Sequence, residues 1–162
     1  MKCGVFLKDT LKLRQVNIGD KRILFDWRND ALTRKNSLNT EMVEWKNHCR
    51  WFENIVASHK LFFILEDNHI PVGQVRIDVI DGIGVVNYSI APDKRGLGYG
   101  KNILKFCEIR LHEQNMSYLL RGVVKKNNIA SRKIFLSLNY TEQEDENCFI
   151  YEKVISQYST NR

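Results

Sequence analysis

The feature that most constrains this chain is the segment from Ser89 to Lys101, where a strand pattern ends in a glycine-rich loop that leads directly into an amphipathic helix. The loop contains Gly96, Gly98 and Gly100, three glycines in five residues. Glycine lets the backbone approach a ligand closely, and the first turn of a helix leaves N–H groups unpaired at the positive end of its dipole. The segment predicts a site for a phosphate or pyrophosphate group; the alternative interpretation is a plain glycine turn before a helix.

Two common phosphate-binding motifs do not fit this loop. A dinucleotide-binding fingerprint has the spacing G-x-G-x-x-G, whereas the glycines here are spaced G-x-G-x-G. A P-loop ends in Gly-Lys-Ser/Thr, and the corresponding residues here are Gly100-Lys101-Asn102. The loop therefore belongs to another kind of phosphate site.

The hydrophobic pattern places the loop among alternating strands and helices. Runs of β-branched and aromatic residues predict strands at 11–16, 61–66, 71–80, 83–90 and 118–124, with a final hairpin around 145–147. Helical spacing predicts helices that begin at caps on Asp20 and Thr40, and two more over 98–114 and about 128–138. We expect a loop over 67–70 and a tight turn at Asp81-Gly82. This order predicts an α+β or mixed α/β sheet in a single domain over residues 1–162.

The composition excludes several function classes. With 25 Lys and Arg against 19 Asp and Glu, the net charge is +6, and its dispersed pattern favours a small anionic ligand over a long polyanion such as nucleic acid. The longest apolar run, 61–65, is far shorter than the roughly 20 residues that cross a bilayer, and we expect neither a membrane segment nor a secretory signal. The four cysteines are scattered, which predicts no metal site, no disulfide framework and a reducing cytoplasm.

Two motifs together resemble the GNAT N-acetyltransferases. Arg95-Gly96-Leu97-Gly98-Tyr99-Gly100 matches the acyl-coenzyme A loop of that family, Arg/Gln-x-x-Gly-x-Gly/Ala, without a gap. Downstream, the segment from Asn128 to Tyr140 is similar to the family pattern Asn-x-x-Ala/Ser-x-x-x-Tyr/Phe-x-x-x-Gly-Phe. The resemblance implies a central, mostly antiparallel twisted sheet of about seven strands flanked by about four helices.

The resemblance also implies acetyl-coenzyme A as co-substrate and a place for it. The strand over 85–90 would lie beside the pantetheine arm, splayed from the strand over 118–124, so that free backbone groups could polarise the thioester. Backbone N–H groups from the glycine loop would hold the pyrophosphate, and Asn128 would contact the coenzyme, cap a helix, or do both. The implied coenzyme residues are Ile90, Arg95, Gly96, Leu97, Gly98, Tyr99, Gly100, Lys101, Asn128 and Phe135.

Two residues depart from the family pattern. Phe135 stands where many members carry a tyrosine that protonates the departing thiolate, and phenylalanine has no proton to give. The alternatives are Tyr88, Tyr99 or Tyr151, or the ammonium group of the substrate acting through water. Asn139 stands where the family has glycine, and asparagine tolerates the left-handed conformation that ends a helix.

The N-terminal third resembles the GNAT branch that acetylates amino-sugar nucleotides of the pseudaminic acid pathway type. A nucleotide sugar needs cationic groups for phosphate, amides for hydroxyls and aromatic faces, and the candidate residues for its binding are Trp27, Arg28, Asn29, Arg34 and Trp51. The alternative is that the indoles belong to the core and Arg28 to the surface. The implied reaction acetylates a primary amine, such as the 4-amino group of the sugar, by direct attack in a ternary complex.

The acceptor amine must be neutral to attack, and this requires a base within hydrogen-bond reach. His48 is the first candidate, and Asp78 and Glu44 come next, although a helical histidine is more often only a packing residue. Other acceptors remain open, namely a protein N-terminus or another small amine. A non-catalytic acyl-coenzyme A-binding or nucleic-acid-binding module is a further alternative, and the chain could be a monomer or a homodimer.

Overall fold

The chain folds around one seven-stranded sheet. A computed structural model describes residues 9–58, 61–114, 116 and 118–156. The strands are β1 (Leu11–Gln15), β2 (Leu61–Asp67), β3 (Ile70–Ile80), β4 (Ile83–Ile90), β5 (Tyr118–Lys125), β6 (Thr141–Glu144) and β7 (Cys148–Ile155). The helices are α1 (Lys21–Asn29), α2 (Ala31–Asn36), α3 (Trp45–Ala57), α4 (Tyr99–Glu113) and α5 (Ile129–Ser137). The expected mixed α/β fold with seven strands is confirmed, and the described residues form five α-helices rather than about four.

The strand order is β1-β2-β3-β4-β5-β7-β6, and every neighbouring pair is antiparallel except β4 and β5. A parallel pair needs a crossover connection, and α4 supplies it between these two strands. The sheet therefore consists of an antiparallel half, β1–β4, and an antiparallel half, β5–β7, joined by one parallel contact.

Helices cover both faces of the sheet. On the α4 face, alternate residues of the central strands, such as Val75, Ile77 and Val86, form the main core with Ile103 and Leu104 of α4. On the opposite face, called the α3 face, a smaller cluster forms from Val16, Leu24, Phe52, Ile55, Phe62 and Ile64. Strand alternation therefore divides the sheet between two groups of helices.

The N-terminal helices differ from the sequence prediction. The helix expected from Thr40 begins only at Trp45, and the additional helix α2 begins after Asp30, whose carboxylate accepts a hydrogen bond from the Thr33 amide at 2.9 Å. Asp20 makes no capping bond to α1. Instead it accepts a bond from the Asn17 amide at 2.9 Å in a 3-10 turn and pairs with Arg14.

The turns follow the backbone demands of their residues. Asp81 and Gly82 both have positive φ, 51° and 77°, so the predicted tight hairpin is confirmed. Asn68 and His69 also have positive φ, and they form a two-residue turn where a longer loop over 67–70 was expected. Asparagine and aspartate tolerate this region better than most residues, since their short polar side chains bond locally.

Asn139 ends α5 in the left-handed conformation expected for it, with φ 64°. Its amide donates to the Leu136 carbonyl at 3.1 Å, and the Tyr140 amide donates to the Phe135 carbonyl at 3.2 Å. These two bonds form a Schellman motif, which satisfies carbonyls that the end of the helix would leave free.

Candidate active site

A cleft opens between β4 and β5 because the two strands pair only at their beginnings. The parallel register joins Ile83 to Leu119, Gly84 to Leu120 and Val85 to Arg121, and it includes no later residues of either strand. From 86 to 90 on β4 and from 122 to 125 on β5, the facing backbone groups have no strand partner across the gap. Such edges can pair with an extended ligand that carries amide groups of its own.

The glycine loop follows the end of β4, on the unpaired side of the cleft. Gly96 and Gly98 have φ of 75° and 86°, and a Cβ added to either would meet nothing within 4 Å. Gly98 is the N-cap of α4 and no side chain caps this helix, so the amides of its first turn are available to an anion. Lys101 is exposed in the same turn, and Leu97 is also exposed.

Gly100 has a different role from the other two glycines. A Cβ at this position would lie 2.6 Å from Cδ1 of Ile134 on α5. Gly100 therefore allows α4 and α5 to pack closely, while Gly96 and Gly98 allow the loop conformation. The geometry of the loop fits a pyrophosphate at the two open glycines and the helix terminus.

Two loop side chains point into the protein. Arg95 forms an ion pair with Asp30 at the start of α2 and donates to Oγ1 of Thr33 at 2.9 Å. Burial opposes ionisation of Asp30, but Arg95 and Thr33 outweigh it and lower the pKa of this carboxyl. Tyr99 is 8% exposed and its hydroxyl donates to Oδ2 of Asp67 at 2.6 Å. Arg95 and Tyr99 therefore fix the loop against the fold.

Asn128 caps α5, since its Oδ1 accepts a bond from the Ser131 amide at 3.3 Å. Phe135 on the same helix is 1% exposed, and its ring stacks on Tyr151 with centroids 5.1 Å apart. The hydroxyl of Tyr151 bonds to Glu142. Predicted contacts of Asn128, Phe135 and Ile90 with the coenzyme stay predictions.

Tyr88 extends from β4 toward α5. Its hydroxyl is 2.8 Å from Oγ of Ser131, and burial raises the pKa of Tyr88 to about 12. Tyr88, Phe135, Tyr140 and Tyr151 form an inner aromatic cluster beneath the cleft. Ser131 was not predicted as a site residue, although it stands at the Ala/Ser position of the pattern that begins at Asn128.

Three of the predicted acceptor residues hold the segment 37–44. Arg28 donates to the Asn39 carbonyl at 3.0 Å, and Arg34 donates to the Thr40 carbonyl at 3.3 Å. Asn29 bonds to both backbone groups of Val43, at 2.9 and 2.8 Å. Nη1 of Arg28 is shielded from solvent without a partner, and burial together with Arg34 lowers the pKa of this guanidinium.

The two predicted indoles lie in different surroundings. Trp27 packs against the smaller core cluster of the α3 face. Trp51 is 38% exposed, and the guanidinium of Arg76 lies 5.3 Å from its ring. Arg76 also forms a salt bridge with Asp78 at 2.9 Å. The structure thus brings Trp51 and Asp78 together through Arg76.

The three candidate bases differ in accessibility. His48 is 2% exposed among aromatic rings, its Nε2 is 2.8 Å from the Lys21 carbonyl, and burial lowers the pKa of its imidazole. This geometry favours packing, and its catalytic role stays a prediction. Glu44 is exposed before α3. Asp78 is on β3 beside Val85, the last β4 residue paired to β5, so it lies level with the closed end of the cleft and one strand away from it.

The α3 face of β3 carries polar residues that sequence reasoning missed. Gln74 and Arg76 precede Asp78 at alternate positions, and their register partners on β4 are Ser89 and Asn87. Gln74 donates to Oγ of Ser89 at 3.2 Å, while its Oε1 is buried without a partner. The sequence did contain a signal for them. Side chains of a strand alternate between its two faces, and the polar residues at 74, 76 and 78 therefore share one face of the predicted strand.

No helix among the described residues is long and apolar enough to cross a bilayer. The described cysteines Cys49, Cys107 and Cys148 are free, while Cys3 lies outside the described part of the chain. Within that part, no group of His, Cys, Asp and Glu side chains is arranged to hold a metal ion.

The fold is similar to that of several acetyltransferases of known structure. YncA from Salmonella typhimurium, solved with its cofactor acetyl-coenzyme A, has a TM-score of 0.72 and 15% identity over 95% of this chain and 98% of its own. The spermidine N-acetyltransferase of Vibrio cholerae, in complex with coenzyme A and spermine, has a TM-score of 0.76 and 15% identity over 91% and 96%. The ribosomal-protein-alanine N-acetyltransferase of Brucella melitensis has a TM-score of 0.71 and 19% identity over 88% and 98%.

At these identities the likeness concerns the fold. No curated protein matches the chain in sequence. The sequence model of the acetyltransferase (GNAT) family, however, matches residues 22–140, which include the glycine loop, both cleft strands and α5. The chain belongs to the acetyltransferase (GNAT) family and is an acyl-coenzyme A-dependent N-acetyltransferase.

Proposed function

We propose that this protein transfers an acetyl group from acetyl-coenzyme A to a primary amine of a nucleotide-linked amino sugar, such as its 4-amino group. One observation carries the proposal: an open cleft with an anion-binding loop at one end meets a cationic and aromatic surface on the α3 face. Acetyl-coenzyme A supplies a pyrophosphate for the loop and an amide-containing arm for the cleft edges. The similar proteins solved with acetyl-coenzyme A or coenzyme A support this donor.

The charge of the α3 face supports an anionic acceptor. Arg28 lies in the last turn of α1, and Arg34 lies in the last turn of the next helix, α2. On the sheet, the guanidinium of Arg76 lies over the ring of Trp51. Lys125, at the open end of β5, donates to the Lys35 carbonyl of α2 at 2.9 Å. Arg76 is already paired with Asp78, whereas Arg28 and Arg34 form no salt bridge among the described residues and would attract a pyrophosphate more than a polyamine.

The unpartnered polar atoms of this region match the chemistry of a nucleotide sugar. Nη1 of Arg28 and Oε1 of Gln74 are shielded from solvent, and a movement of neighbouring side chains would expose a donor suited to phosphate and an acceptor suited to a hydroxyl. An unmatched buried polar group costs free energy, and a ligand that supplies its partner removes that cost. Trp51 offers a partly exposed aromatic face next to Arg76.

Asp78 is the residue that we propose as the base. It lies one strand from the cleft, level with the closed end, and is partly exposed, and Arg76 holds its carboxylate. Asp78→Asn keeps the shape but cannot accept the ammonium proton. We expect kcat/KM to fall about 100-fold, while His48→Gln retains most activity. Full activity of Asp78→Asn across about pH 6 to 9 would remove Asp78 from this role.

The test of the function is thiol release from acetyl-coenzyme A with three acceptors in parallel. These are a nucleotide-linked 4-amino-4,6-dideoxyhexose, a peptide with a free N-terminus, and spermidine. Release with the amino sugar alone supports the proposal. Release with the peptide or spermidine and none with the sugar overturns the proposed acceptor while leaving the donor unchanged.

A protein N-terminus is the second candidate acceptor. The specific observation that favours it is the pair of exposed apolar residues Leu38 and Met42, 68% and 66% exposed, on the segment beside α2. They could contact the side chains of a peptide. The similarity of the fold to that of a ribosomal-protein-alanine N-acetyltransferase supports a protein N-terminus as the acceptor.

We further propose that residues 1–162 act as one catalytic domain and that the enzyme works in the cytoplasm. Free thiols at Cys49, Cys107 and Cys148 suit a reducing compartment.

A further inference from the structure

The position that carries a tyrosine in many relatives is filled here by Phe135, whose ring carries no hydroxyl and packs tightly against its neighbours. The end of the Phe135 ring lies against Gly122, because a Cβ on Gly122 would be only 2.4 Å from Cζ of Phe135. Tyr151 stacks on one side of this ring, and Tyr140 meets it edge-on with centroids 4.9 Å apart. Position 135 therefore cannot supply the donor that the departing sulfur needs.

A different pair of hydroxyls spans the cleft. Tyr88 belongs to β4, three residues beyond the last residue paired to β5, which places it within about 10 Å of the closed end along the strand. Ser131 belongs to α5, which packs against β5 and β7 on the other side of the cleft. The 2.8 Å bond between Tyr88 Oη and Ser131 Oγ therefore connects the two sides beneath the cleft.

A count of hydrogens leaves one donor of this pair free. Each hydroxyl carries one hydrogen, and the bond between them uses only one of the two. Neither oxygen has another hydrogen-bond partner among the residues that the structure describes. Ser131 is 8% exposed, so the spare hydrogen lies at a buried position and requires an acceptor.

We propose that the Tyr88–Ser131 pair donates this hydrogen to the sulfur of the acyl donor and stabilises the thiolate that leaves. The inference rests on the proposed acetyl transfer but not on the identity of the acceptor. The amine nitrogen forms a bond to the thioester carbonyl carbon and the carbon–sulfur bond breaks. The electron pair of the broken carbon–sulfur bond stays on sulfur, while the amine proton passes to Asp78 or to water. The pair holds the sulfur as a hydrogen-bonded thiolate, which water later protonates.

Burial of Tyr88 fits donation of a hydrogen bond better than full transfer of a proton. A phenol with a pKa near 12 is a weaker acid than an alkyl thiol, so it keeps its proton while it stabilises the anion. The charged side chain nearest in sequence, Arg132, is directed to the Lys126 carbonyl and the ring of Phe149. The thiolate therefore depends on the hydroxyl pair for its stabilisation on this side.

The test measures the thiol of coenzyme A bound to the complete protein. Thiolate absorbs in the ultraviolet and the neutral thiol does not, so a pH titration of the complex gives the pKa of the bound thiol. We expect this pKa to be about one unit lower in the unmodified protein than in Tyr88→Phe or Ser131→Ala. In steady state, both variants should lose about 10- to 100-fold in kcat with little change in the KM for acetyl-coenzyme A.

Tyr140→Phe is the matched control, because it removes a buried hydroxyl from the same aromatic cluster without touching the pair. It should leave the pKa of the bound thiol unchanged. An equal thiol pKa in all four proteins would overturn the inference, as would failure of the protein to bind coenzyme A. A lowered thiol pKa without acetylation of any amine would instead support the hydroxyl pair and refute the proposed function.

Discussion

At the scale of single residues, the same side-chain type has very different roles depending on its neighbours. His48 and Asp78 were both predicted as bases from their chemistry. One is enclosed by aromatic rings and the other lies partly exposed at the cleft. Chemistry that a residue type allows can be read from sequence, whereas accessibility depends on contacts between distant segments.

His48 makes stability depend on pH. Burial lowers the pKa of its imidazole, so the folded protein binds fewer protons here than the unfolded chain. The stabilisation is present above the unfolded pKa of about 6.5 and is lost as pH falls through the folded value. We expect the free energy of unfolding, measured with urea, to fall between about pH 7.5 and 5.5. The fall should be smaller in His48→Gln, and an equal slope in both proteins would contradict this account.

Substitutions at Asn139 measure the free-energy cost of a left-handed backbone conformation at the end of α5. Asn139→Ala places a Cβ without a local polar partner at φ 64°, and we expect about 1 kcal/mol of destabilisation. Asn139→Gly should be neutral or slightly stabilising, because glycine adopts this conformation without steric cost. Thermal unfolding of the two variants checks the sign, and equal loss in both would mean that the asparagine side chain is itself required.

At the scale of elements, strands and helices with a clear period were predicted within one or two residues. The strands β3 and β4 are examples, since alternation and the Asp81-Gly82 turn define them locally. The segment from Asp30 to Glu44 was not predicted well. Its conformation depends on Arg28, Asn29 and Arg34, whose side chains donate hydrogen bonds to backbone carbonyls 6 to 14 residues further along the chain. No local sequence pattern indicates such bonds.

The candidate site likewise combines features that the local sequence predicts with features that depend on distant residues. The glycine loop was predicted because its conformation depends on the glycines themselves, two of which adopt positive φ. The Tyr88–Ser131 and Arg95–Asp30 pairs join residues 43 and 65 positions apart, and only the folded chain shows them.

The contact between β5 and α5 leads to a further prediction. Gly122→Ala would force the Phe135 ring to move, but Tyr151 and Tyr140 enclose it. We expect overpacking to cost about 1–3 kcal/mol in urea denaturation. Adding Phe135→Leu should recover part of this loss by making space. If the double variant is no more stable than Gly122→Ala, the ring is not the source of the strain.

At the scale of the whole molecule, the net charge gives a test of the proposed acceptor. The net charge is +6, and several cations lie on the α3 face. If the acceptor is a nucleotide sugar, kcat/KM for it should fall severalfold when ionic strength rises from about 0.05 to 0.5 M. Transfer to an uncharged amine should change little over the same range. A flat response for the nucleotide sugar would show that these cations do not attract it.

The connection of α2 to both sides of the cleft has an evolutionary consequence. Asp30 and Thr33 bond to Arg95 after β4, while the Lys35 carbonyl bonds to Lys125 at the end of β5. In the proposed site, the segment that would face the amine is attached by a few polar contacts to the framework of the cleft. A lineage of such enzymes can replace this short segment and acquire a new amine while it inherits the donor chemistry intact.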